Sequence, residues 1–153
     1  MITVSVITSG DNLQQLVDEI NQAAWDHAND ISRYDVAALS AYLERQDTLF
    51  VACHAISDAG RTLLGLASAR VELKPYENAR WLYVDEVDVC ADQRRRGAGQ
   101  AIMRKLIELA QAAGCKEVWL GAEQDNHAAN ALYHSLRPDE VTRVIGYTYE
   151  IPD

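Results

Sequence analysis

The sequence predicts an α/β protein in which a mixed, mostly antiparallel central sheet is flanked by about four helices. Three observations lead there. Short segments with period-two alternation or unbroken apolar runs recur between segments carrying an apolar stripe at helical spacing. Turn chemistry separates them. The chain also lacks repeats, low-complexity tracts and linker-like stretches, so its 153 residues are expected to form one domain, 1–153. At that length folding buries roughly 70% of the surface of the unfolded chain, without a metal or disulfide staple.

Taken in order, Ile2-Thr3-Val4-Ser5-Val6 alternates and reads as a strand. Ser9-Gly10-Asp11 then offers a helix start, and Leu13, Leu16, Val17 and Ile20 share one helical face. A second helix is expected from about Ser32 to Arg45, with Val36, Leu39 and Leu43 inward. Thr48–Cys53 and Thr62–Val71 read as strands of a hairpin, with Ser57-Asp58-Ala59-Gly60 between them. A strand from Trp81 to Val89 leads into Arg94-Arg95-Arg96-Gly97-Ala98-Gly99. A helix from about Ala98 to Ala113 follows, with Ile102, Leu106, Leu109 and Ala113 on its buried side and Gly114 as its stop. Lys116–Ala122 is the next strand, Asn126–Leu136 a helix ended by Pro138, and Val141–Ile151 has the alternation of closing β structure.

Fourteen basic and 23 acidic residues give a net charge of −9, a field that repels nucleic acid and anionic membranes and attracts cations. No apolar run approaches the length of a membrane span, and no basic-then-apolar leader opens the chain, so a cytoplasmic location is expected. Cys53, Cys90 and Cys115 include no CxxC pair, and the histidines have no metal spacing, so neither a disulfide framework nor a metal site is expected.

The strongest chemical signal is the arginine and glycine segment between a strand and an amphipathic helix. Glycines at a helix N-terminus let main-chain N–H groups close on phosphate oxygens, and the helix dipole favours the anion. Arg94, Arg95 and Arg96 add charge-assisted hydrogen bonds. A Walker loop is excluded because Gln100-Ala101 follows Gly99. A dinucleotide fingerprint is excluded because Ile102 stands where a third small residue belongs.

This segment resembles the signature of the GNAT superfamily of N-acetyltransferases, an Arg/Gln-x-x-Gly-x-Gly/Ala loop after the fourth strand. Asn126-x-x-Ala129-x-x-Leu132-Tyr133, downstream of the fifth strand, is similar to a second motif of the family. The resemblance spans nearly the whole chain. It departs at Arg137-Pro138, where the family usually has Gly-Phe. It implies a sheet splayed between strands 4 and 5, acetyl-CoA as co-substrate without a metal, and direct attack of an amine on the thioester in a ternary complex. It also implies that the main chain of Val87 and Val89 meets the pantetheine arm. The cofactor site would take in Arg94 to Gly99 (Ala98 included), Asn126, Ala129 and Tyr133, with Tyr133 as the general acid. A homodimer through the closing strands is a further expectation from the family.

The strand edge left open by the wedged cofactor would offer the N–H of Val89 as oxyanion donor. The base must come from elsewhere. Strict alternation along Trp81–Val89 puts Leu82, Val84, Glu86 and Asp88 on one face and Tyr83, Asp85, Val87 and Val89 on the other. Carboxylates on a central strand are costly unless they face a wet cleft, which makes Glu86 the first candidate, followed by Asp88 and Asp85. A carboxylate near pKa ~4 and an alkylammonium near ~10 differ by roughly 8 kcal/mol against proton transfer. A second ammonium on the substrate reduces that gap by like-charge repulsion.

Within the superfamily the chain most resembles the small aminoglycoside 3-N-acetyltransferases, through Leu73-Lys74-Pro75-Tyr76-Glu77, Tyr83-Val84-Asp85-Glu86-Val87-Asp88-Val89, and Ala122-Glu123 leading to Ala131-Leu132-Tyr133. A polycationic amine also suits the charge. Trp25, Asp26, His27 and Asp30 are expected along one acidic wall of a cleft, Glu123 and Asp125 along another, with Glu86 also contacting the substrate. Polyamines, protein lysines or N-termini remain alternative acceptors, and a non-catalytic acetyl-CoA-binding module is the alternative of a different class.

Overall fold

Alternation at the N-terminus yields β1, Ile2–Val6, which pairs antiparallel with β2, Thr48–Ser57. In the computed structural model, which describes residues 1–26 and 31–153, β2 turns at Asp58-Ala59 into β3, Gly60–Leu73. β4, Arg80–Val89, runs antiparallel to β3, and β5, Cys115–Trp119, runs parallel to β4. The sheet order is β1-β2-β3-β4-β5, mixed and mostly antiparallel. Three helices accompany these strands: α1, Leu13–Gln22; α2, Val36–Glu44; and α3, Ala98–Ala112. Together they make a first unit, Met1–Leu120. A second unit, Gly121–Asp153, contains α4, His127–Ser135.

Side-chain caps set the helix starts. Asn12 accepts from Gln15 N at 3.1 Å to begin α1, while Asp11 is turned back to Thr8 N at 2.7 Å. Asp35 accepts from Ala38 N at 2.7 Å, so α2 starts at Val36 and not at Ser32. Gly114, at φ 74°, ends α3 in the left-handed conformation that a β-carbon disfavours.

Leu13, Leu16, Val17 and Ile20 of α1 are all buried, as their spacing predicts. With Leu39 of α2 they cover Phe50, Ala52, Leu63 and Leu66 on one sheet face. Each such side chain contributes about 1.5–3 kcal/mol of burial. Glu19 of α1 ties the helix to the hairpin through buried His54, 3.1 Å away, and Arg61; burial lowers the pKa of His54. The opposite face carries α3. Its buried residues are Ala98, Ile102, Met103, Leu106 and Ala110, so the stripe runs through Met103 and Ala110 where Leu109 and Ala113 had been expected.

One expected element differs. Residues 137–153 form neither helix nor strand ladder among the described residues. Val141, Ile145, Tyr147, Tyr149 and Ile151 keep their alternation but stand between 66% and 85% exposed. Alternation gives a segment the side-chain pattern of a strand; a ladder also needs a neighbouring edge, which local sequence does not specify.

Candidate active site

β4 is pinned at its end by Cys90, whose N–H donates to Leu64 O at 2.8 Å and whose thiol donates to Leu63 O at 3.3 Å. A 3-10 turn, Ala91–Gln93, then leads through Arg94–Gly97 into α3. Arg95 (φ 64°) and Gly97 (φ 80°) are both left-handed. Such residues among right-handed or extended ones turn successive N–H groups into one concavity. Among the described residues no side chain caps α3, and a β-carbon added to Gly97 would meet nothing within 4 Å. None of the described residues closes the helix mouth, where the positive end of the dipole lies. Buried Ala98 seats the first turn and Gly99 is half-buried. Around the mouth, Arg94 pairs with Asp26 at 2.7 Å and Arg96 donates to Gln93 at 2.8 Å, while Arg95 is exposed. Main chain and guanidinium groups of this kind fit a diphosphate.

The sheet parts beside this mouth. β5 pairs with β4 only as far as Tyr83 and Trp119, whereas β3 follows β4 to Val89. Because Cys90 N–H points to β3, strand alternation turns the main-chain groups of Val89 and Val87 toward the side that β5 has left. The main chain there is placed to meet an extended ligand.

The carboxylates of β4 require a correction to their faces. Ser68 lies opposite Glu86, but Ala69 lies opposite Val84, so Asp85 is the extra residue of a β-bulge. Leu82 and Val84 therefore do not share the face of Glu86 and Asp88. Asp88, opposite Leu66, and Glu86, opposite Ser68, look toward α1 and α2; Leu82 and Val84 look toward α3. Local alternation cannot anticipate a step of this sort. Asp85 is exposed and lies 3.4 Å from Arg70.

Asp88 is 4% exposed, and its Oδ2 has no hydrogen-bond partner among the described residues. Burial, with the charge of Glu86 adding, pushes its pKa up to about 7. Glu86, half-buried, is also raised by burial, and the nearby Tyr34 hydroxyl opposes that rise. Tyr34 carries no signal in the sequence beyond being an aromatic residue just before the α2 cap. Next to it a cavity of about 240 Å³ is lined by Ser32–Asp35, Ala38, Leu39, Tyr42, Phe50 and Ser68.

Other expected residues are placed as follows. Trp25 donates Nε1–H to Ile20 O at 2.8 Å and packs on the core, closing the end of α1. Asp26 meets Arg94. His27 and Asp30 lie outside the described residues. In the second unit, Asn126 caps α4 by accepting from Ala129 N at 3.1 Å, and Asn130 donates to Glu123 O at 2.9 Å. Tyr133 is half-buried on α4, while Glu123 and Asp125 are exposed. Arg137 has φ 55°, a glycine-like backbone at the position where the sequence departs from the family pattern.

A sheet that parts beside an uncapped, glycine-led helix defines a class of proteins that hold a phosphate-bearing ligand by main chain. The chain matches the acetyltransferase (GNAT) family over residues 11–136 and belongs to it. The fold of that family carries a site for acetyl-CoA. Among relatives, N-acetyltransferase family 8 member 3 of Mus musculus is 29% identical over 84 residues, 55% of this chain and 37% of the mouse protein. An L-methionine sulfoximine/L-methionine sulfone acetyltransferase of Pseudomonas paraeruginosa is 32% identical over 116 residues, 76% of this chain. The chain thus spans 37% and 62% of the lengths of these curated relatives. Among solved structures, the aminoglycoside acetyltransferase meta-AAC0020 from an uncultured soil metagenomic sample, in complex with sisomicin, superposes with a TM-score of 0.82 at 15% identity, over 99% of this chain and 97% of that one. AAC(6')-Iy bound to a bisubstrate analogue gives 0.75 at 15% identity, over 99% of both chains. At such identities the likeness is one of fold. No described helix is long and apolar enough to cross a membrane.

Proposed function

We propose that this chain is an acetyl-CoA-dependent N-acetyltransferase whose acceptor is the primary amine of a small molecule. The observation that carries this reading is the open β4 edge running into the uncapped mouth of α3. Arg94, Arg95 and Arg96 with the N–H groups from Gly97 to Gly99 would hold the diphosphate, and Val87 and Val89 the pantetheine arm. Acetyl-CoA supplies an activated thioester when bound. The N–H of Val89 is assigned to stabilising the oxyanion, and Tyr133 to donating a proton to the departing thiolate.

Glu86 with Asp88 behind it is the base in this reading. Burial raises Glu86 above an ordinary carboxylate and so narrows the roughly 8 kcal/mol gap to an ammonium near pKa ~10. The pair therefore accepts a proton, directly or through water, far more readily than an exposed aspartate.

For the acceptor, the reading favoured first is a polycationic aminoglycoside acetylated at its 3-amino group. Its support is the net charge of −9, the Glu86–Asp88 pair, the resemblance of the β4 segment, and the kinship in fold with aminoglycoside enzymes. Glu123, Asp125, Asp26 and Asp30 would add acidic contacts to the substrate, and Trp25 an aromatic one. A second reading is an amine bearing a compact apolar arm. It is favoured by the walls of the cavity next to Tyr34, where Ala38, Leu39, Tyr42 and Phe50 present mainly carbon, and by a relative named for methionine sulfoximine and sulfone. Thiol release from acetyl-CoA, measured with sisomicin, spermidine, methionine sulfone and a lysine peptide, separates these. Turnover with none of them, despite acetyl-CoA binding, would favour a non-catalytic module.

The proposal extends to a homodimer. An exposed, alternating apolar segment from Val141 to Ile151, without a partner strand among the described residues, suits a second copy. Sedimentation should show a dimer that dissociates when residues 141–153 are removed; an unchanged mass ratio would refute that role.

A further inference from the structure

Tyr34 is held from several sides by residues that take no part in the proposed chemistry. Asn21 of α1, thirteen residues earlier, brackets its backbone. Tyr34 N donates to Asn21 Oδ1 at 2.9 Å, and Asn21 Nδ2 donates to Tyr34 O at 2.9 Å. Asp35 immediately afterwards caps α2, so the chain cannot pivot at Tyr34 without breaking a cap as well as the bracket. The ring stands edge-on to buried Phe50, with centroids 6.0 Å apart. Phe50 lies opposite Ser68 across β2 and β3, and Ser68 lies opposite Glu86 across β3 and β4. One line of three strand residues thus leads from the ring to Glu86, and Ser68, in the middle of that line, borders the same cavity as Tyr34.

We infer that Tyr34, clamped by Asn21 and wedged against Phe50, is a positioning residue that orients the Glu86 carboxylate beside the acceptor cavity through a hydrogen bond from its hydroxyl. The inference rests on the reading of Glu86 as proton acceptor. It also assigns different states to two carboxylates two residues apart on one strand face. Like charges so close resist ionising together. A donor on one of them settles which ionises first: the Tyr34 hydroxyl would serve Glu86, while among the described residues Asp88 Oδ2 has no partner. Glu86 is then the anion that meets the substrate ammonium, and Asp88 retains its proton until about pH 7. The titratable and charged groups facing this pair, among the described residues, are Asp85 on β4, Tyr34, and Tyr42 of α2, which acts on Tyr34. Arg33 and Asp35 line the adjoining cavity. Burial, followed by Glu86 and Asp88, raises the pKa of Tyr34 itself, so it remains a donor over the working range.

The test is a 13C titration of side-chain carboxylates in the full chain, which requires no knowledge of the acceptor. Glu86 and Asp88 signals are assigned by their loss in Glu86→Gln and Asp88→Asn. Tyr34→Phe keeps the ring on Phe50 and removes only the hydroxyl. It should raise the Glu86 midpoint by about one pH unit and lower that of Asp88, since a hydrogen bond to the charged form has been lost. Asn21→Ala, which loosens the clamp and leaves the hydroxyl, should move Glu86 the same way by less. A Glu86 midpoint identical in wild type and Tyr34→Phe overturns the inference, as does an unmoved midpoint in Asn21→Ala should Tyr34→Phe not fold. Turnover of Glu86→Gln at the wild-type rate would remove Glu86 as base while leaving the titration result intact, so the two failures are distinguishable.

Discussion

Ser68 of β3 faces Glu86 of β4, whereas its neighbour Ala69 faces Val84, and the residue stepped over is Asp85. That single step divides β4 into two halves with different duties. Its first half sends Leu82 and Val84 to the α3 face, and its second half sends Glu86 and Asp88 to the α1–α2 face. Without it, Glu86 and Asp88 would lie on the α3 face, among Ile102 and Leu106.

Glu86→Gln should lower kcat by about 100-fold, at the lower end of what a general base supplies. Wild-type rate should rise with pH as the raised carboxylates lose their protons, and the variant should lose that rise. Acetyl-CoA affinity should be unaffected. A wild-type pH–rate profile in the variant excludes Glu86.

Asp88→Asn should reverse a pH-dependent cost in stability. A carboxyl at 3.8 unfolded and about 7 folded favours the native state fully below pH 3.8, and this is lost as pH rises to 7, by up to about 4 kcal/mol. Denaturant unfolding should therefore find the variant gaining on wild type between pH 4 and pH 8. Equal differences at both pH values would show that Asp88 is ionised in the fold.

Gly65→Ala places a β-carbon 2.6 Å from Asp88 O, 3.1 Å from Ile102 Cδ1 and 3.3 Å from Val89 Cα. Two of these are main-chain atoms that cannot rotate away, so destabilisation of about 1–3 kcal/mol is expected. Turnover should fall further than stability, because the displaced backbone carries Asp88 and Val89. Urea unfolding and thiol release on the same sample check both.

Gly97→Val puts a β-branched residue at φ 80°, at a cost of about 1–2 kcal/mol. It also narrows the mouth of α3. Calorimetry should show acetyl-CoA bound at least about tenfold more weakly; retained affinity would refute the diphosphate site.

Tyr133→Phe removes the proposed acid and keeps the ring. The expected result is a fall in kcat of about 100-fold with an unchanged Kd for acetyl-CoA. A thiol-release rate equal to wild type would end the assignment.

Several features were legible because they are decided within a turn or a strand. The limits of β1, the buried stripe of α1, the start of α3 after Gly97 and the start of a helix at Asn126 all follow from residues within four positions of one another. The arginine and glycine mouth was legible for the same reason. Tyr34 was not, because its place depends on Asn21 in another helix and on Glu86 in another element. Asp26 reads as a solvated acid until Arg94 is brought beside it.

Residue order thus sufficed for most of the elements, for the family and for the glycine-led start of α3, where periodicity and glycine chemistry act over short spans. The tertiary structure decided which way the β4 carboxylates face, which of them lacks a partner among the described residues, and what holds Tyr34. Register across strands and burial are properties of pairs distant in sequence: a bulge at Asp85 exists only relative to β3, and Asp88 is pushed up to about 7 only where α1, α2 and the sheet together exclude water from it.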